Sequence, residues 1–209
     1  DDLREALQAR INEAAGQEYD AVLLAYGLCG RSVAGLRAKD VPLVLPRAHD
    51  CITLYLGSRA RYTKEFTRNP GTYWFSLDYL ERSSDNGLVV LGASKTALDM
   101  EAAYKENVEK YGQNNADYLT QVMGAWQAHY SRAIFIDTGV GGGAAAEAEA
   151  RDFASERGWK FGRMVGDGNL IRRLIDGEWD DDFLIVAPGE EIVQQMSEEI
   201  VTSRSPESE

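Results

Sequence analysis

Apolar residues recur along this chain in two rhythms. Over 1–15, Leu3, Ala6, Leu7, Ile11 and Ala14 fall near the i, i+3, i+4, i+7 spacing that gives a helix one apolar stripe. The stretches 21–26 (AVLLAY), 41–45 (VPLVL), 133–136 (AIFI) and 183–186 (FLIV) are instead almost continuously apolar and of strand length. Such runs suit strands covered on both faces, as in a parallel sheet. Between them, 51–56 and 59–66 predict two short helices, stopped by Asn69, Pro70 and Gly71. The aromatic cluster 72–75 (TYWF) predicts a strand or a lid-like segment, and 83–87 a loop. Helical spacing returns over 96–111 and 116–130, with Gly112, Gln113 and Asn114 between. A strong helix former follows over 144–157 with Gly158 at its end, then a strand over 159–165 and a helix over 169–175 stopped by Gly177. From Gln194 onward charge and serine increase, so 201–209 is expected to be a frayed tail.

Strands alternating with helices through short loops predict an α/β protein. The expected form is an open, mostly parallel, Rossmann-like doubly wound sheet with helices on both faces and a helical insertion around 96–130. Residues 1–200 are expected to form a single α/β domain. A helix that leads at once into a buried strand suggests that an N-terminal strand–helix element precedes residue 1. In open sheets of this kind ligands bind beyond the carboxyl ends of the strands. Three loops that follow strands, 27–30, 46–51 and 137–143, are therefore expected to share one crevice.

Charge narrows the partners. Against 34 Asp and Glu the 209 residues carry 22 Lys and Arg, a formal net charge of −12, and the pI is about 4.7. Phosphate backbones and anionic membrane surfaces are repelled by such a surface, so neither nucleic acid nor membrane is expected as partner. No apolar run reaches the ~20 residues of a membrane span, and no basic start with an apolar core marks a secretory signal. A cytoplasmic location is expected. In that setting the two cysteines read as reduced thiols or metal ligands rather than a disulfide.

The chemistry concentrates in 26–51, where YGLCG and PRAHDC hold both cysteines and one of the two histidines. Cys29, His49 and Cys51 offer two thiolates and an imidazole, a donor set that suits zinc. Three protein ligands would leave one position for water, a thiol or another exogenous donor. In the alternative, both cysteines are small buried apolar residues and His49 caps a helix. Asp50 is a candidate ligand, substrate contact or helix N-cap. Tyr26 and Arg47 are candidate substrate contacts, and Arg59 and Arg61 lie close enough in sequence to grip an anion. Tyr55, Tyr73 and Trp74 wall a pocket or fill the core, and His129 reads as a surface residue.

The loop from Asp137 through Thr138, Gly139, Gly141 and Gly142 follows a strand and opens a helix, the setting of a phosphate or nucleoside loop. It is also similar to the first motif of Rossmann-like S-adenosylmethionine methyltransferases, although chain order departs from theirs because few strands follow. A tight strand-to-helix turn explains the same glycines. Nucleophile-elbow, P-loop and HExxH motifs do not occur, which weakens serine hydrolase, P-loop NTPase and zincin readings.

Taken together, YGLCG, PRAHDCITLYLGS, NPGTYW, FIDTG and the late GD-x-NLI-x-x-L-x-x-G-x-W-D resemble the bacterial and archaeal family DUF1638 along nearly the whole chain. The resemblance implies a further N-terminal strand and helix in full-length members. It also implies an association with corrinoid-dependent methyl transfer, and so a corrinoid or methyltransferase partner protein or a small-molecule ligand. Zinc-thiolate methyltransferases of an unrelated barrel fold use an H-x-C pair with a distant cysteine to activate a thiol. This chain has those ligand types with the lone cysteine first, so the likeness concerns the site alone. The expectation is a zinc-binding protein that activates a thiol or takes part in methyl transfer. A non-catalytic ligand-binding or accessory module is the alternative.

Overall fold

The computed structural model describes residues 2–28, 32–78, 104–105, 108–109, 112–113, 129–195, 197 and 199–205. In chain order its elements are α1 (Asp2–Ala14), β1 (Val22–Leu23), β2 (Leu43–Pro46), α2 (Cys51–Leu56), α3 (Arg59–Arg68), β3 (Thr72–Ser76), β4 (Arg132–Asp137), α4 (Ala144–Glu156), β5 (Lys160–Val165), α5 (Asn169–Asp176), β6 (Phe183–Val186), β7 (Glu191–Gln194) and β8 (Val201–Arg204). This is a mixed α/β architecture. Where the sequence treats 1–200 as one domain, the contacts divide the chain into two compact units, Asp1–Tyr62 with Asp167–Glu209, and Thr63–Gly166.

The first unit is built on the sheet β1-β2-β6. β1 runs parallel to β2, with Val22 opposite Leu43 and Leu23 opposite Val44. Only two residues of AVLLAY are strand, yet the chain keeps its course beside β2: the Leu24 N–H donates to the Val44 carbonyl at 2.8 Å and the Leu28 N–H to the Ala48 carbonyl at 2.9 Å. β6 departs from the expected parallel arrangement. It pairs antiparallel with β2, from Leu43 opposite Val186 to Pro46 opposite Phe183. Continuous apolarity carries no direction, which is why the run FLIV did not reveal it, and within the run Ile185 is half exposed. Before β6 the chain leaves α5 at Gly177, φ 78°, in a turn where the Trp179 indole N–H donates to the Leu174 carbonyl at 2.8 Å.

Alternate residues of these strands serve two apolar clusters. Leu43, Leu45, Leu184 and Val186 pack with Ile11 of α1 and with Ile192 and Val201 of the β7–β8 pair. Val44 and Phe183 face the other way, against Leu170 and Leu174 of α5. Opposite faces of this sheet are thus covered by different helices. The expected frayed tail is ordered in its first part: β8 pairs antiparallel with β7, Glu191 opposite Arg204 and Gln194 opposite Val201. Burial of Val201 and the ion pair from Arg204 to Glu191 at 2.8 Å hold residues that composition alone reads as solvated.

The second unit carries the parallel text. β3, β4 and β5 form a three-stranded parallel sheet with β4 in the centre, Phe75 opposite Phe135 and Phe135 opposite Arg163. The cluster 72–75 is therefore a strand, buried along its length, and not a lid. α4 connects β4 to β5 and lays Ala146, Ala150, Phe153 and Ala154 on Tyr73, Phe75, Ala133 and Phe135. Small residues on the helix let it approach closely, and Tyr73 then meets Phe75, Tyr130, Phe153 and Trp159 with ring centroids 5.2–5.4 Å apart. Burial pushes the Tyr73 hydroxyl well above its ordinary pKa. The helical insertion expected around 96–130 falls almost wholly outside the described residues.

Candidate functional site

Two strand-end loops of the first unit meet at a glycine. A Cβ on Gly27 would lie 2.5 Å from the carbonyl carbon of Asp50 and 2.7 Å from its Cα, inside the main chain itself. With Leu28 hydrogen-bonded to Ala48, residues 27–28 are seated directly on 48–50. YGL (26–28) and AHD (48–50) are thus neighbours because β1 and β2 are parallel and their loops leave the same end. Cys29 follows Leu28 and lies outside the described residues.

The second loop is fixed by α2. Asp50 is its N-cap, extended at φ −156° and ψ 177°, and its Oδ1 accepts from the Thr53 N–H at 3.2 Å. Its Oδ2 accepts from the Tyr62 hydroxyl of α3 at 3.0 Å. Burial pushes the Asp50 pKa up, while the hydrogen bonds from Thr53 and Tyr62 and the neighbouring His49 pull the other way. Cys51 is the first residue of α2 and half-buried, and His49 is exposed with its ring centroid 6.2 Å from that of Tyr62. At the far end of α2, Gly57 closes the helix at φ 70°. A Cβ there would lie 2.2 Å from the Asp167 carbonyl oxygen, and the Asp167 N–H donates to the Tyr55 carbonyl at 2.9 Å.

Tyr62 is the residue that sequence reasoning missed. It stands twelve positions from Asp50 in another helix, and no spacing rule links an N-cap to a tyrosine of the following helix.

The arginines expected near a ligand are engaged by the protein itself. Arg47 pairs with Glu199 at 2.8 Å, and its guanidinium also donates to the carbonyls of Phe183 and Val201, tying the end of β2 to β6 and β8. Arg59 donates to the Asp181 carbonyl at 3.1 Å and Arg61 to the Leu56 carbonyl at 3.3 Å. Tyr26 is 38% exposed, one residue before the glycine contact. His129 is exposed, as expected.

The glycine-rich loop belongs to the second unit. The Gly139 N–H donates to Asp137 Oδ1 at 2.9 Å, and Arg163 pairs with Asp137 Oδ2. These contacts, the Gly139 hydrogen bond first, hold the Asp137 carboxyl below its usual range. Gly139 and Gly141 take φ of 73° and 77°, and a Cβ on Gly141 would lie 2.6 Å from Leu77 Cδ2. Thr138 and Gly142 continue the turn, and Gly143 enters α4 without a side-chain cap. All of this fits a tight strand-to-helix turn.

Among the described residues, no group of three or more His, Cys, Asp or Glu side chains is placed to hold a metal ion. No helix among them is long and apolar enough to cross a membrane. A family model described as "Protein of unknown function (DUF1638)" matches residues 1–175. Comparison with curated proteins and with solved structures gives no match.

Proposed function

We propose, for a chain that belongs to the DUF1638 family, that Cys29, His49 and Cys51 form a zinc site at the carboxyl ends of β1 and β2. The observation that supports it is the contact of Gly27 with Asp50: the backbone leading to Cys29 is seated on the segment that carries His49 and Cys51. The donor set fits the ion, since two thiolates and one imidazole match the preference of zinc for sulfur and nitrogen. Zinc held by three protein ligands supplies a Lewis-acidic centre that favours the ionised form of a thiol or water.

The chain's own residues would supply the rest. Exposed His49 and Tyr26 leave the loops accessible to a small thiol or to a partner that carries one, and Asp50 keeps the H-x-C segment in a single backbone course. We extend the reading to thiol activation in methyl transfer with a corrinoid-linked partner, in a reducing cytoplasm that leaves both thiols available. The doubly wound form of the sheet belongs to the same proposal, supported by the parallel β4–α4–β5 unit and by helices on both faces of β1-β2-β6.

Metal analysis of protein purified without added zinc tests the site. The expected content is about one zinc per chain, strongly reduced in Cys29→Ser and Cys51→Ser. Metal content that is negligible in the wild type, or unchanged in both variants, rejects the proposal.

A further inference from the structure

We propose that two copies of this chain associate edge to edge through β1, which pairs antiparallel with its counterpart across a two-fold axis at Leu23. In the sheet β1-β2-β6, β1 is an outer strand, and among the described residues no strand lies on its other side. The Val22 N–H donates to the Pro42 carbonyl at 2.9 Å and the Leu24 N–H to the Val44 carbonyl at 2.8 Å. Main-chain groups alternate in direction along a strand, so those of Ala21, Leu23 and Ala25 point away from β2 along an open edge. Edge strands are usually guarded by a lysine, a proline or a bulge. Residues 21–26 (AVLLAY) hold neither a charge nor a proline, and Leu23 and Tyr26 are 37% and 38% exposed. Such an edge takes up another strand.

A second copy fits this edge by register. In an antiparallel pair centred on Leu23, Leu23 meets its own counterpart and Ala21 meets Ala25, so the outward-pointing groups of both copies exchange hydrogen bonds. Val22 then stands opposite Leu24. Asp20, the one charged residue in 19–28, stands opposite Tyr26, whose hydroxyl can donate to the carboxylate, and no like charges face each other. Moving the centre to Val22 or Leu24 would set Asp20 against Leu24 or Leu28 instead. The contact is isologous and closes after two copies, merging two three-stranded sheets into one. Because each copy carries a net charge of −12, added salt should tighten the pair.

Sedimentation velocity on wild type, Leu23→Lys and Leu23→Asp tests the pairing, since a residue on the axis meets itself. The expected result is a wild-type dimer at about 0.1 mM chain, tighter in about 200 mM than in about 10 mM sodium chloride. Each variant alone should associate about tenfold more weakly or less, because like charges then stand directly opposite. An equimolar mixture of the two should dimerise again, with opposite charges across the axis. Leu23 is partly exposed already, so both variants should keep the wild-type far-ultraviolet dichroism.

A wild type that stays monomeric at that concentration overturns the pairing. Dimers unchanged in both variants overturn it too, placing the contact elsewhere. Variants that dissociate and do not recover on mixing overturn the register at Leu23. Should a variant fail to fold, deuterium exchange of the wild type decides: the Leu23 and Ala25 amides should be protected in the dimer and lose that protection on dilution. Protection that is independent of concentration means that another segment of the same chain covers the edge, and it overturns the dimer.

Discussion

Gly27 shows how much one absent side chain can position. Any Cβ there falls far inside van der Waals contact with the Asp50 main chain, so alanine must push two strand-end loops apart. Gly27→Ala should cost about 2–3 kcal/mol, as expected when overpacking meets backbone that cannot move aside. Gly142 has open space around it and no left-handed requirement, so Gly142→Ala should stay within about 0.5 kcal/mol. Urea unfolding of the two variants separates the cases, and equal stabilities would refute the close approach. At this scale the site was partly legible. The rare residues of YGLCG and PRAHDC drew attention to the loops, and Asp50 before an apolar helix was readable as an N-cap. Tyr62 was not, because a hydrogen bond between side chains of two helices leaves no periodicity in the text. Nor could the sequence tell that Arg47 turns inward to Glu199 and Val201 rather than outward to a ligand.

At the scale of elements, local signals carried the helices well. The bounds of α2, α3 and α5 follow from Asp50, from Asn69 to Gly71 and from Gly177, whose chemistry acts within a turn or two. Strand pairing is non-local, and there the reading failed twice, in the direction of β6 and in the existence of the β7–β8 pair. The latter depends on charge: Glu191 holds Arg204 at 2.8 Å and Arg37 at 3.2 Å, and these two guanidinium groups, Arg204 first, keep its carboxyl below the ordinary 4.5. A lowered folded-state pKa means that the stabilisation is fully present above about pH 4.5 and is lost as pH falls through the lowered value. Glu191→Gln should therefore be less stable than wild type by about 1 kcal/mol at pH 7. The gap should narrow as pH falls from 4.5 through the lowered value. A gap that stays constant over the whole acid titration of Glu191 would rule out the ion pairs as its source.

For the whole molecule, the dominant physical fact is a net charge of −12. Like charges repel in the compact state, and salt screens them over a Debye length of about 10 Å at 0.1 M. The melting temperature should rise between 10 and 200 mM sodium chloride, and the chain should pass a heparin column unretained in low salt. Retention would contradict the expectation, drawn from the charge, that nucleic acid is not a partner. The α/β class was legible at this scale from alternating runs, since a strand covered on both faces must be apolar throughout. The division into two units was not, because each apolar run says only that it is buried, not in which of two cores.

α2 has six residues, fewer than a helix needs to persist in water alone. It is held by the burial of Ile52, Thr53, Leu54 and Leu56 and by its ends, Asp50 with Tyr62 at one and Gly57, pressed on Asp167, at the other. Opening either end releases the entire segment, so its amides should exchange with deuterium as one cooperative unit. The N–H groups of Leu54 and Gly57 should then show a common opening free energy, and weakening the Asp167 end should speed exchange at Thr53, beside the cap. The loop that carries His49 and Cys51 would in this way share its lifetime with a contact at the opposite end of the helix.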